Sequence, residues 1–241
     1  SRYTLYTRMA SAEAIIIAQE VTELDYFKAR EREEQLVTGL VYGAILVMLA
    51  YNLLLFASTR EPTYLYYCAY LASYGLFLFA FRGYGYEYLW PNSPGFQQAA
   101  ITLIGPLSVS ALARFTQEYL NTADTNPKHH IYLTWLIRVG LTVPLVYSFL
   151  PRTLVNTIAT TGVMAVALYL FWLSVSMWKQ GHQSARYFTF AFAANLCAHV
   201  YSALNLLLSE ALGDGTAQTN ANLLTGILEL GVMLEMVLLS I

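Results

Sequence analysis

The chain has 241 residues, of which 57% are hydrophobic and only 12% are charged. Soluble domains carry about 25% charged residues, so this composition excludes an ordinary soluble domain and predicts an all-α membrane protein with a helix bundle. The net charge of −2 gives no reason to expect a nucleic-acid partner. The composition therefore predicts a protein that is embedded in a lipid bilayer.

The first 29 residues differ from all that follow. Residues 2–9 mix β-branched and aromatic side chains with polar ones, and Ile15–Ile17 continue this pattern. The pattern predicts one or two terminal β-strands, too few to fold alone. We therefore expect residues 1–29 to end an incomplete β-rich domain, and both chain ends to be cut from a longer protein. The charged stretch Asp25–Glu34 predicts a solvated helical lead-in to the membrane.

Seven apolar runs predict seven membrane-spanning helices. A bilayer core of about 30 Å needs roughly 20 helical residues to cross it, and each run approaches or exceeds that length. The short link Ser58–Pro62 between the first two runs predicts an antiparallel helical hairpin. Tyrosine and tryptophan residues in 83–92 are expected to lie in an interfacial aromatic belt. The predicted spans are 35–57, 63–81, 95–119, 131–150, 154–177, 187–209 and 221–241.

The basic residues in the short loops predict the orientation of the chain. Cytoplasmic loops carry more lysine and arginine than the opposite loops do. One set of loops contains Arg60, Lys128, Lys179 and Arg186, whereas the other contains only Arg82 and Arg152. The first set should be cytoplasmic, which leaves the N-terminus outside and the C-terminus inside.

Polar and ionisable side chains within the predicted spans are the candidate site residues. Such groups are costly in a membrane and are usually paired, so they often mark a functional site. Counting depth along the helices predicts that Glu229 pairs with His199, and Glu235 with an arginine on span three or four. Together these side chains would form a polar network within the membrane. This network either couples the last span to its neighbours or binds a ligand. Alternatively, it only holds the helices together by hydrogen bonding. Its predicted members are Asn52, Arg114, Arg138, Asn195, His199, Glu229 and Glu235.

Motifs for catalysis, metal binding or cofactor binding are not recognisable in the sequence. His129 and His130 are adjacent, and they are expected to lie on the surface of a loop rather than to bind a metal. Cys68 and Cys197 both fall within predicted spans, where they are expected to pack as small apolar residues. We therefore expect this region to have no enzymatic activity, metal site or cofactor.

Five stretches of the sequence resemble one known family, the bacterial seven-transmembrane receptors with diverse intracellular signalling modules. The resemblance covers about residues 30–241. The stretches are REREEQLVTGLVYGAILVMLAYNLLLF (Arg30–Phe56), YLYY (Tyr64–Tyr67), GLFLFAF (Gly75–Phe81), GYGYEYLWPNSP (Gly83–Pro94) and LELGVMLEMVLLS (Leu228–Ser240).

The resemblance implies a periplasmic β-sandwich sensor domain, a seven-helix domain in the bacterial inner membrane and a cytoplasmic output module. Residues 1–29 would then end the sensor domain. The output would be a diguanylate cyclase, a histidine kinase, an adenylate cyclase or a phosphatase. Many such modules act as dimers, and Gly39 and Gly43 form a G-x-x-x-G pattern that is typical of close helix contacts. We therefore expect a homodimer.

The function predicted from these features is that of a transmembrane receptor domain, which relays a periplasmic signal to a cytoplasmic effector. A small-molecule or proton transporter, or a channel, is the alternative, because buried acids also serve transport paths. The inverted repeats and paired broken spans that are common in transporters are not apparent here.

Overall fold

The computed structural model describes residues 24–146, 152–183, 185–193, 196–197 and 200. This part of the chain is mostly helical and contains no β-strand. The helices are α1 (Leu24–Thr59), α2 (Pro62–Phe81), α3 (Pro94–Tyr119), α4 (Thr122–Thr125), α5 (Pro127–Val146) and α6 (Arg152–Lys179), and residues 185–193 are also helical.

The chain divides into two units, residues 1–36 and residues 37–241. In the first unit, residues 24–36 form the start of α1, so the boundary predicted at residue 29 falls inside a helix. These residues include three glutamates, two arginines and two leucines, which favour helix over strand. Gln35 Nε2 donates a 3.4 Å hydrogen bond to Glu31 Oε1 within this segment. The predicted strands before residue 24 lie outside the described residues.

In the second unit, one face of α1 packs on the protein and the other remains exposed. Its buried residues Thr38, Val41, Ile45 and Asn52 recur at the spacing of one helix face. Leucine and valine side chains cover much of the opposite face, as a lipid-facing helix requires. Its large exposed apolar side chains from residue 40 onward are Leu40, Leu46, Val47, Tyr51, Leu53 and Leu54.

Helices α1 and α2 form the predicted antiparallel hairpin. Tyr42 contacts the ring of Phe79 near one end, whereas Cys68 Sγ lies 3.7 Å from the Leu49 carbonyl oxygen near the other. The order of the contacts is opposite along the two helices, which confirms the antiparallel arrangement. The link is tight because Arg60 adopts a left-handed conformation, with φ of 60°, and Pro62 starts α2.

The connection between α2 and α3 is an ordered structure rather than an open loop. Residues Gly85–Leu89 form a single π-helical turn. The indole ring of Trp90 packs directly on Gly85, where a Cβ atom would collide with it. Trp90 Nε1 donates a 2.6 Å hydrogen bond to Gln97 Oε1, and Gln97 Nε2 donates one of 2.6 Å to the Ala80 carbonyl. This chain of contacts fixes the start of α3 to the end of α2.

Helix α3 is central, since α2, α5 and α6 all pack against it. It approaches α5 closely at Gly140, where an added Cβ would lie 2.8 Å from the Pro106 carbonyl oxygen. The hydroxyl of Ser110 fills the same place, 2.8 Å from the Pro106 carbonyl and 3.4 Å from that of Ile137. A glycine is therefore needed at this crossing for steric reasons.

The described helices correspond to most of the predicted spans. Within the described residues, α1, α2 and α3 are long and apolar enough to cross a membrane, and the apolar part of α6 is the shorter stretch Ala165–Lys179. Helices α5 and α6 occupy the positions predicted for spans four and five. Residues 185–193 lie at the start of the predicted sixth span, and the predicted seventh lies outside the described residues.

Candidate functional site

Arg114, a predicted site residue near the end of α3, is surrounded by partners. Its guanidinium forms an ion pair of 2.5 Å with Glu118, one turn further along the same helix. It also donates hydrogen bonds to Gln117 Oε1 at 3.0 Å and to the Tyr66 hydroxyl at 3.2 Å. The guanidinium carbon lies 4.6 Å from the centre of the Tyr66 ring, a cation–π distance. Arg114 therefore links α3 to α2, and its charge is compensated within α3.

Gln117 is the buried centre of this network, with only 3% of its surface exposed. Its Nε2 donates hydrogen bonds to the His130 carbonyl oxygen at 3.0 Å and to Thr134 Oγ1 at 2.8 Å, both on α5. Because its Oε1 accepts from Arg114, the amide uses both donor hydrogens and its acceptor. One side chain thus joins Arg114 to the first turns of α5.

The chain folds back between α3 and α5 so that these groups meet. Asn121 takes a left-handed conformation with φ of 44°, which asparagine tolerates better than most residues. Its side-chain amide donates a 3.0 Å hydrogen bond to Asp124, and α5 begins at Pro127. The hydroxyl of Thr122, on α4, lies 3.0 Å from His130 Nδ1. This tight turn presents the His130 carbonyl to Gln117.

Aromatic rings connect α3 to α2 and to the helix of residues 185–193. Phe115 lies 4.9 Å from Tyr67 on α2 and 6.4 Å from Phe188, measured between ring centres. Tyr119 also contacts Phe188, at 5.9 Å. Phe115 and Phe188 are fully or almost fully buried, so these rings belong to the apolar core. One end of α3 is therefore in contact with α2, α5 and the helix of residues 185–193.

His129 and His130 are not loop-surface residues, so that prediction was wrong. Both lie in the first turn of α5, and both are partly buried. His129 Nδ1 lies 3.0 Å from the hydroxyl of Tyr169 on α6, and its ring lies 5.4 Å from that of Trp172. Burial lowers the pKa of His129 below its ordinary value of 6.5, so the neutral imidazole is favoured at this α5–α6 contact.

The other described site residues do not join this network. Asn52 is 1% exposed, and its side-chain amide donates a 2.9 Å hydrogen bond to the Met48 carbonyl of its own helix. Asn52 therefore bonds within α1 and not to a neighbouring helix among the described residues. Arg138 is exposed on α5, with its guanidinium carbon 5.7 Å from the centre of the Trp135 ring. The remaining predicted members, Asn195, His199, Glu229 and Glu235, lie outside the described residues.

Sequence reasoning missed several members of the network: Tyr66, Gln117, Glu118, His130 and Thr134. The sequence spacing could have identified two of them. Gln117 and Glu118 follow Arg114 by three and four residues, which is the spacing of neighbouring side chains on a helix surface. The described contacts contain hydrogen-bonding and charged groups that can hold helices in register. They support mechanical coupling between helices more directly than they support chemistry on a substrate.

A family model described as "7TM diverse intracellular signalling" matches residues 34–241, which is most of the chain. No curated protein and no solved structure matches it.

Proposed function

Since the chain belongs to the family of 7TM domains for diverse intracellular signalling, as the resemblance predicted, we propose that its helices relay an extracytoplasmic signal to a cytoplasmic effector. The family establishes a membrane protein with a signalling role. The observation that carries the finer proposal is the network around Arg114 and Gln117, which ties the end of α3 to both α2 and α5.

The relay would act through displacement of α3 relative to its neighbours. Packed helices shift by small translations or rotations, and polar contacts at their ends select between discrete arrangements. A movement of α3 would stretch the bond from Arg114 to Tyr66 and the bonds from Gln117 to α5. The network therefore favours the arrangement seen here, and a signal that favours another arrangement has to break or exchange these bonds.

The proposed orientation places this network on the cytoplasmic side of the bacterial inner membrane. The turns after α1, α3 and α6 contribute Arg60, Lys128 and Lys179, which the positive-inside rule assigns to the cytoplasm. Relay to an effector needs a coupling element at this end of the helices.

The arrangement of domains and subunits is also part of the proposal. The chain before Leu24 would belong to a periplasmic sensor domain, and a cytoplasmic output module, such as a diguanylate cyclase or a histidine kinase, would follow Ile241. The membrane region itself would have no catalytic activity. A homodimer is supported by Gly39 and Gly43, which are exposed on α1 with no described atom within 4 Å of a Cβ built on either. A helix of a second chain can approach closely there.

Reporter fusions test the direction of the relay. A reporter that is active only in the cytoplasm should be active when fused after Ile241 and inactive when fused before Ser1. A second reporter that requires export should give the opposite pattern at both positions. If the cytoplasmic reporter is active before Ser1 and inactive after Ile241, the chain has the opposite orientation in the membrane, and the proposed relay is rejected.

A further inference from the structure

One face of α5 combines basic and aromatic side chains and points away from the protein. Lys128, Tyr132, Trp135 and Arg138 follow one another at intervals of four, three and three residues, so they share one side of the helix. We name these four residues the α5 outer face. Tyr132 and Trp135 are each 59% exposed, and Lys128 and Arg138 are exposed as well.

The electrostatic setting of this face is strongly one-sided. Residues 125–209 contain no aspartate or glutamate, whereas Lys128, Arg138, Arg152, Lys179 and Arg186 all fall within them. Arg138 contacts the Trp135 ring, and no carboxylate among the described residues pairs with it. This differs from Arg114, whose charge is balanced by Glu118. Arg138 therefore has no acidic partner among the described residues, and Asp124, the acid nearest to Lys128 in the sequence, accepts a hydrogen bond from Asn121.

We propose that the α5 outer face binds an anionic phospholipid. An arginine that faces hydrocarbon is costly unless an anion or water reaches it, and a lipid phosphate is the anion that a membrane supplies. Lys128, at the first turn of α5, would bind the headgroup phosphate. The rings of Tyr132 and Trp135 would pack against the glycerol and the first methylene groups, where amphipathic rings are favoured. Arg138, whose guanidinium lies against Trp135, would attract the same phosphate from the side of the hydrocarbon core.

The same charge pattern disfavours a second copy of this chain as the occupant. In a twofold contact through this face, Lys128 and Arg138 of one chain would meet the same acid-free surface of the other. Like charges would then face each other with no described counter-charge. A lipid phosphate supplies the missing negative charge, so the two occupants differ in sign as well as in chemistry.

The test uses the full-length protein in nanodiscs of phosphatidylcholine alone or of phosphatidylcholine mixed with phosphatidylglycerol, with retained lipid counted by native mass spectrometry. Phosphatidylglycerol should be retained in preference to phosphatidylcholine. Lys128→Gln should weaken its retention about fivefold, the factor expected for one basic residue near an anionic surface, and Arg138→Gln should weaken it less, because Arg138 lies ten residues further along α5. Arg138→Lys should keep most of the retention.

The matched control is Lys179→Gln, which removes an exposed cation at the end of α6 and leaves the α5 outer face intact. It should retain phosphatidylglycerol as the wild type does. Equal retention of the two lipids by the wild type would overturn the proposal. Equal losses for Lys128→Gln and Lys179→Gln would also overturn it, because they would show a general charge effect. Lys128 is at the surface, so its substitution keeps the test valid if Arg138→Gln fails to fold.

Discussion

The guanidinium of Arg114 and the carboxylate of Glu118 form a 2.5 Å ion pair along a single turn of α3. Both side chains are about one-third exposed, so water screens the pair and its contribution to stability is small, up to about 1 kcal/mol. Its significance lies in where it holds Arg114, against Tyr66 and Gln117. The predicted pairing of Glu235 with Arg114 or Arg138 stays a prediction, although Arg114 already has one carboxylate partner.

Replacing Gln117 should destabilise the protein more than any change to the neighbouring ion pair. Gln117 is 3% exposed, and Gln117→Leu removes the hydrogen bonds that its amide donates to the His130 carbonyl and to Thr134 Oγ1. An unsatisfied buried polar group costs about 1–3 kcal/mol, so we expect a loss in this range in the free energy of unfolding. Unfolding in detergent should be compared with that of Gln180→Leu, a change at an exposed glutamine. Similar losses in the two variants would show that Gln117 is not a structural centre.

The close crossing of α3 and α5 should not tolerate a methyl group. Gly140→Ala places a Cβ against the Ser110 hydroxyl and 2.8 Å from the Pro106 carbonyl, so the helices have to move apart. Overpacking of this kind costs about 1–3 kcal/mol. Gly162→Ala, at a helical glycine with no described atom within 4 Å of the added carbon, is the control and should be neutral or stabilising. A thermal midpoint of Gly140→Ala that matches the control would contradict the crossing described here.

The π-helical turn should depend on Gly85 in a similar way. In Gly85→Ala the new Cβ collides with the Trp90 indole, which cannot move without breaking its hydrogen bond to Gln97. We expect a lower thermal midpoint together with a shift in tryptophan fluorescence. Gly95→Ala lies ten residues further along, where the added carbon has no described neighbour within 4 Å, and it should leave both signals unchanged. If Gly85→Ala also leaves them unchanged, the ring does not pack on residue 85.

The contact between His129 and Tyr169 predicts how stability changes with pH. The pKa of His129 is lowered by burial, so the unfolded chain takes up a proton at a higher pH than the folded protein does. The stabilising contribution is therefore present above the ordinary histidine pKa of about 6.5 and is lost as the pH falls through the folded value. The thermal midpoint of the wild type should drop between about pH 7.5 and 5.5.

His129→Gln removes this titration, so its drop over the same pH range should be smaller than that of the wild type. His182→Gln replaces a partly exposed histidine near the end of α6 and serves as the control. A difference between wild type and His129→Gln that stays constant with pH would mean that protonation of His129 does not contribute.

Features set by length and apolar composition could be predicted from the sequence. The hairpin of α1 and α2 follows from two long uncharged runs and a five-residue link, whereas α5 begins at Pro127, four residues before the start predicted for the fourth span. The π-helical turn could not be predicted in the same way, because it depends on Trp90 reaching Gly85 and Gln97 after the chain has folded.

The candidate site was predicted only in part, for a similar reason. Charge within an apolar run marks Arg114 as a residue that needs partners. The role of Gln117 depends on the His130 carbonyl and the Thr134 hydroxyl lying opposite it, which is set by the turn at Asn121 and by the crossing of α3 and α5. Neither hydropathy nor local spacing contains that information.

The most direct test of the proposed relay is the output activity of the full-length protein, per folded molecule, in Glu118→Gln. This change releases Arg114 from its carboxylate but leaves Gln117 and the apolar core in place. Coupling between sites is typically worth about 1–3 kcal/mol, so output should change about fivefold or more while the free energy of unfolding changes by less than about 1 kcal/mol. An output equal to that of the wild type in a folded Glu118→Gln protein would contradict a role for this network in the relay.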